Sequence, residues 1–328
     1  MHYFPKYINL VLKDSSMNLM TILITGAAGF IGSNLVGLLS KNNFQTIAVD
    51  CFLDESYNAS LKRKNWQTLK SLSNVELIEL DLRNSLPTNL LNDVKVIVNL
   101  AAMPGLMKSW SDFKIYSSCN IDVVENLARA SINNQNIHFI QISTSSVYGL
   151  SAIGSEDSKL QPVSPYGVTK LASEELIKAY NRTFDLKFTI LRYFSVYGPG
   201  QRPDMAYHKI INAILTDTEL EIYGDGNQTR TNTFISDCIE ATLSAIVLKP
   251  KNEIVNISGK TSYSLNQAIE IIEDFLNKKA KLIFKEKRPG DQLETNGDIS
   301  KAKLLLNYDP KVKLAEGLFQ QIKWQRGF

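Results

Sequence analysis

The sequence predicts an α/β protein: a doubly wound parallel sheet with helices on both faces and a smaller lobe on its C-terminal side. Three observations predict it. Short β-branched runs alternate with helical patterns up to about residue 200, as strands buried on both faces do. The first run, TILIT, passes through Gly26, Gly29 and Gly32 straight into a helical pattern. Beyond residue 200 that rhythm gives way to loop-like passages, GPGQRPD and GDGNQTR, with shorter elements between them.

Each element follows in order. Residues 1–19 carry one short apolar patch, Ile8 to Leu12, interrupted by Asn9, and no small-residue cleavage site. They read as an N-terminal extension rather than a signal peptide, with Met17 and Met20 as alternative starts. The strands are TILIT (21–25), QTIAVD (45–50), NVELIELDL (74–82), KVIVNLAA (95–102), HFIQIST (138–144) and KFTILRYFSVYG (187–198). Helices are expected from the glycine turn to about Lys41, in the Lys- and Ser-rich stretch before the third strand, over 119–134 and over 165–183. Residues 20–200 thus read as one unit and 201–328 as a second, with a helix over 205–217 and two more after about residue 260. Ligands of such sheets sit beyond the strand ends, so the two units are expected to frame a cleft there.

Composition narrows the classes of function. Among 328 residues, 36 are Lys or Arg and 33 are Asp or Glu, and the basic residues form no long block. That balance speaks against nucleic acid as a partner and leaves room for a small anionic substrate. Cys51, Cys119 and Cys238 lie far apart, and with only His2, His138 and His208 besides, the sequence predicts neither a metal site nor a disulfide framework. No apolar run has the length of a membrane span, and a reducing cytoplasm is the expected compartment.

The glycine turn carries the first chemistry. Gly26 permits a tight turn, Gly29 lets backbone approach a pyrophosphate, and Gly32 lets the helix press on the sheet. The helix N-terminus then offers N–H groups to phosphate, and Asp50, ending the second strand, is placed for ribose hydroxyls. A carboxylate there favours NAD over its 2′-phosphorylated form. This makes the first unit a Rossmann-type NAD-binding domain. Tyr166 and Lys170, in VSPYGVTK, fall one turn apart if a helix starts near Pro165. An ammonium beside a phenol favours the phenolate, so the spacing predicts a lowered Tyr166 pKa and an acceptor for a hydroxyl proton.

The GxxGxxG spacing with Tyr166 and Lys170 resembles the extended short-chain dehydrogenase/reductases, the NAD-dependent epimerase/dehydratase family, from about Met20 to the C-terminus. The resemblance implies that Thr144, in QISTSSVYG, is the hydroxyl partner of Tyr166. It also implies that Phe30, Ile31, Asp81, Leu82, Leu100, Ala101, Ala102 and Asn120 join Gly26, Gly29, Gly32 and Asp50 around the cofactor. The family's 4,6-dehydratases follow the Thr with Asp-Glu and its UDP-glucuronate decarboxylases place Glu at the second position, whereas this chain has Ser145 and Ser146. Neither serine can act as a carboxylate acid or base, so epimerisation is favoured.

The passages LRYFSVYGPGQRPDMAYHK and AAMPGLMKSW are similar to UDP-glucuronate 4-epimerases, the first more specifically. That likeness implies a UDP-sugar held by Pro104, Lys108, Thr144, Ser145, Ser146, Ser195 and Arg202, with Arg192 near the substrate carboxylate. Arg230, Arg288 and Asp291 would lie at the diphosphate. Met107 stands where the family often has Arg, and RTNTF replaces its RDFTY, so UDP-glucose and UDP-N-acetylglucosamine stay open as substrates. From a different class, a non-catalytic NAD sensor on the same fold is the rival reading. The family's dimeric four-helix bundle implies a homodimer through helices 119–134 and 165–183.

Overall fold

The computed structural model of the protein describes residues 20–54, 59–134 and 136–327; the extension expected over 1–19 lies outside the described residues. The chain runs β1 (Thr21–Thr25), α1 (Phe30–Lys41), β2 (Gln45–Asp50), α2 (Ala59–Leu69), β3 (Val75–Glu79), β4 (Val94–Asn99), α3 (Lys108–Ser111), α4 (Phe113–Ser117), a π turn (Ser118–Asp122), α5 (Val123–Ser131) and β5 (His138–Thr144). A 3₁₀ turn (Ser145–Tyr148), β6 (Ser151–Gly154), α6 (Pro165–Phe184), β7 (Lys187–Tyr193), β8 (Val196–Tyr197), α7 (Ala206–Thr216), β9 (Glu219–Tyr223), β10 (Thr229–Thr231), β11 (Thr233–Phe234) and α8 (Ile235–Leu248) follow. The chain ends with β12 (Glu253–Ile257), β13 (Ser262–Ser264), α9 (Leu265–Leu276), β14 (Lys281–Lys285), β15 (Glu294–Gly297), α10 (Ser300–Leu306) and α11 (Leu314–Gln325).

Seven strands form one parallel sheet in the order β12-β7-β5-β4-β1-β2-β3. The β-branched runs read as strands because their alternate side chains are buried on opposite faces. Ile22 and Ile24 of β1, Val96 and Val98 of β4 and Ile140 and Ile142 of β5 belong to one core cluster. Leu23, Ile97 and Phe139 point into the other, between the sheet and the opposite helix layer. Burial of each such side chain contributes about 1.5–3 kcal/mol, so the double-sided sheet is the rigid body of the molecule.

The order reverses between β1 and β4, and at such a point the connections leave in opposite directions and open a crevice beyond the strand ends. Several features depart from the sequence reading, among them three helices after residue 260 where two were expected. The sixth run splits: β7 stops at Tyr193, and β8 turns away to pair with β11. The helix expected over 119–134 is a π turn followed by a shorter α5. The smaller sheet, β13-β10-β15-β6, takes β6 from before residue 200, while β12 after it completes the large sheet. The chain therefore crosses between the lobes more than once.

Candidate functional site

At the crevice the turn from β1 to α1 comes against the start of the β4 loop. Gly26 has φ +65°, and a Cβ there would lie 2.9 Å from the Ala101 nitrogen. A Cβ on Gly32 would lie 2.3 Å from the Gly26 carbonyl oxygen, so any side chain pushes α1 off the turn. No side chain caps α1, which leaves the first N–H groups of a full helix for an anion. Asp50, 8% exposed, accepts from the backbone N–H of Ala28 at 3.0 Å and of Phe52 at 2.9 Å. It is a buried, oriented acceptor rather than a solvated loop carboxylate.

A cavity of about 520 Å³ continues from here past Asp81, Leu82, Leu100, Ala101, Ala102 and Pro104 to Thr144, Ser145, Ser146, Tyr166 and Lys170. Phe30 and Ile31 line it with Gly26, Gly29, Gly32 and Asp50. A glycine-walled turn, an uncapped helix start and a buried carboxylate on one continuous cleft fit a dinucleotide.

The other end of the cleft is built by α6. Ser164 caps that helix by accepting from the Gly167 N–H at 3.1 Å, and Pro165 occupies its first turn. Tyr166 and Lys170 therefore share a face one turn apart. Thr144, extended at the end of β5, accepts from the Ser146 N–H at 3.2 Å, and its hydroxyl hydrogen-bonds the Tyr166 phenol. Lys170, 3% exposed, donates to the Ile142 carbonyl at 2.5 Å, which leaves further ammonium donors for the cleft. Burial, only partly offset by the nearby Glu174, brings Lys170 down to about 8.

The lowered Tyr166 pKa expected from Lys170 is not what the structure gives. Burial raises it, and the downward pulls come from the Thr144 hydrogen bond and the Arg202 guanidinium. The ammonium is directed at a carbonyl of β5, so its effect on the phenol is weaker than the helical spacing alone suggests.

A larger cavity, about 1230 Å³, opens in the smaller lobe. Ser195, Arg230 and Gln292 line both cavities and mark where they join. Arg230 donates to the carbonyls of Thr229 at 2.8 Å and of Gln292; burial lowers its pKa, and Asp291 works against that. Arg288 lies over the Tyr223 ring at 3.2 Å and, like Asp291, lines the larger cavity. Arg202 lines the smaller one and is paired with Asp204 at 2.9 and 2.7 Å.

Three residues expected at ligands are placed elsewhere. Arg192 is corrected most sharply: 1% exposed, it points from β7 into the protein and forms a bidentate pair with Glu174 at 3.0 and 2.7 Å. Its third arm donates to Tyr148 Oη at 2.9 Å, so the guanidinium is fully engaged one layer behind the cleft. Asn120, in the π turn, bonds the Met103 backbone at 2.7 and 3.1 Å and Thr169 at 2.9 Å, and lines neither cavity. Lys108 opens α3, also outside both linings.

The sequence reading missed others. Arg83 clamps the Asp81 carboxylate at 2.6 Å, which lowers its pKa and fixes it on the cleft wall. Tyr116 meets the Tyr166 ring edge-on at 6.2 Å. Gln292 accepts from Ser145 Oγ at 3.1 Å and donates to the carbonyls of Ser145 and Gly149. An i, i+2 Asp-Leu-Arg spacing was the available signal for Arg83; Gln292 lies 147 residues from Ser145 and had none.

The model of the NAD dependent epimerase/dehydratase family matches residues 22–258. The chain is 42% identical over 310 residues to an uncharacterized UDP-glucose epimerase of Bacillus subtilis, covering 93% of this chain and 98% of that one. It is 35% identical to a UDP-glucuronate 4-epimerase of Thermodesulfobacterium geofontis, covering 93% and 95%. Among solved structures it is similar to a UDP-glucuronic acid 4-epimerase from Bacillus cereus in complex with UDP-glucuronic acid and NAD. That match has TM-score 0.91 and 43% identity, over 94% of this chain and 99% of the other.

The glycine contact generates a direct expectation. Gly32→Ala forces α1 away from the turn and weakens NAD binding at least tenfold by isothermal titration calorimetry, a loss of about 1.4 kcal/mol.

Proposed function

The chain belongs to the NAD dependent epimerase/dehydratase family, and from that premise we propose that it is a nucleotide-sugar 4-epimerase converting UDP-glucuronate to UDP-galacturonate. The chemistry that NAD supplies when bound is reversible hydride acceptance from the sugar carbon C4. The residues around it govern the proton and the pose. Tyr166 takes the 4-hydroxyl proton as the carbonyl forms and returns it when the alcohol is restored. Thr144, bonded to Tyr166, orients the reacting oxygen, and Lys170 adds a buried positive charge beside it. The 4-keto sugar turns over in the cleft and is reduced on its other face, so the cycle has no net redox change.

One observation carries the glucuronate reading: Arg202. It lines the same cavity as Tyr166, lies near enough to pull the phenol's pKa down, and is held in place by Asp204. A guanidinium there suits a C6 carboxylate, with Ser146 and Ser195 as hydroxyl donors beside it. The absence of a carboxylate at 145 and 146 removes the acid and base that dehydration and decarboxylation need. Arg230 and Arg288, with Asp291, provide the diphosphate end in the larger cavity. Lys108, outside both linings, favours a second reading in which the C6 group is neutral and the substrate is UDP-glucose or UDP-N-acetylglucosamine.

Residues 20–200 then serve mainly as the cofactor unit, and 201–328, joined by β6, as the sugar-nucleotide unit. We place the enzyme in the cytoplasm as a homodimer through α5 and α6, which pack side by side and bear the exposed Val168 and Phe184 on α6. The unpaired Cys51, Cys119 and Cys238 agree with a reducing compartment. Among the described residues no helix is long and apolar enough to cross a membrane.

Incubation with UDP-glucuronate, UDP-glucose and UDP-N-acetylglucosamine in separate tubes, with products resolved by NMR, tests the assignment. UDP-galacturonate is expected from the first; release of C6 as carbon dioxide, or inertness toward all three, contradicts it. Tyr166→Phe retains NAD and UDP binding and loses about 10²–10⁴-fold in turnover, the usual contribution of a positioned acid–base group. Arg202→Met raises KM for UDP-glucuronate about tenfold or more, the loss of a charge-assisted contact.

A further inference from the structure

Behind the reacting groups lies a fully buried ion pair that the reaction described so far does not use. Glu174, 0% exposed, stands one turn beyond Lys170 on α6. Its carboxylate accepts from Ser143 Oγ at 2.5 Å and from Arg192 at 3.0 and 2.7 Å. Ser143 sits between Ile142, whose carbonyl receives Lys170, and Thr144, the partner of Tyr166. Arg192 is cross-strand neighbour to Ser143 on β7, and Tyr148 and the Glu156 carbonyl hold its remaining arm at 2.9 and 3.1 Å.

A buried ion pair is costly to desolvate, and a hydrophobic pair of similar volume would serve packing at least as well. What the carboxylate adds is a negative charge beside an ammonium that has no carboxylate bonded to it directly. Glu174 is the charged group that acts on Lys170; Tyr166 lies one turn before Lys170 on the same helix, with Tyr116 of α4 against its ring, and Cys119 and Arg202 line the same cavity. We propose that Glu174 is a positioning residue for the reaction: it keeps Lys170 cationic and holds the Ser143–Thr144 end of β5 against α6, with Arg192 as its countercharge.

Burial, only partly offset by Glu174, brings Lys170 down to about 8 and leaves little margin above neutral pH. Lys170 would lose its proton, and turnover would fall, as pH rises through that value; without Glu174 the fall comes at lower pH. The inference rests on the epimerase reading, so wild-type enzyme is assayed in parallel with UDP-glucuronate.

The test compares the pH dependence of kcat in E174Q/R192Q, E174Q and E174D, together with thermal melts and NAD affinity by calorimetry. In the double variant no buried charge is left unpaired. The basic limb is expected about one pH unit lower, with kcat above neutrality down about tenfold, since one unit is a tenfold change in protonation. KM and NAD affinity stay within about twofold, changes too small to signal a lost contact. E174Q, with Arg192 unpaired, melts earlier and shifts the limb at least as far; E174D, which keeps the charge, restores it. An unmoved limb in a folded double variant overturns the proposal, and so does failure of both neutral variants to fold, which makes the pair structural. A wild-type enzyme inert toward the sugar contradicts the epimerase reading instead.

Discussion

The rest of the site depends on the docking of α6 onto the last three residues of β5. Tyr166, Lys170 and Glu174 form a stripe at four-residue spacing, and each meets one of them: Thr144, the Ile142 carbonyl and Ser143. A stripe of polar groups buried this deeply is expensive, since a charge removed from water without partners costs several kcal/mol. Here every member has a partner, and no buried side-chain polar atom among the described residues lacks one. The register of α6 on β5 is therefore fixed by hydrogen bonds, and a one-turn slip would break all three contacts at once. That rigidity holds the Tyr166 phenol in a fixed place on the cleft wall.

The same strand end organises the two cavities. β5 lies next to β4, whose loop forms the wall opposite the glycine turn, and next to β7, which leads through Ser195 into the smaller lobe. Gln292 bonds the 3₁₀ turn after Thr144 while its own carbonyl receives Arg230. A single buried amide thus ties the reacting end of one cavity to the cationic end of the other. The two cavities are lined by parts of the chain far apart in sequence and meet at Ser195, Arg230 and Gln292.

What could be read beforehand follows from how local each signal is. The parallel sheet was legible because each strand declares itself by its own β-branched run, and the glycine turn because its constraint spans a few residues. Tyr166 and Lys170 were legible because a helix brings i and i+4 together whatever surrounds them. Arg192 was misplaced because its direction depends on which face of β7 meets α6, and its partner Glu174 is 18 residues away. Asn120 was misplaced because a π turn rotates it toward Met103 and Thr169, and short polar residues give no warning of that turn. The phenol's pKa was misjudged in sign, since the helical spacing reveals the ammonium but neither its carbonyl partner nor the burial around both.

Carbon–hydrogen bookkeeping at C4 tests the central account most directly. Holoenzyme is incubated with UDP-glucuronate carrying deuterium at C4 in ordinary water, and the product is examined by NMR and mass spectrometry. Proton exchange through Tyr166 involves only the hydroxyl, so UDP-galacturonate retaining its deuterium at C4 is the predicted result. Washout of the label into solvent, or a pentose product lacking C6, would contradict it.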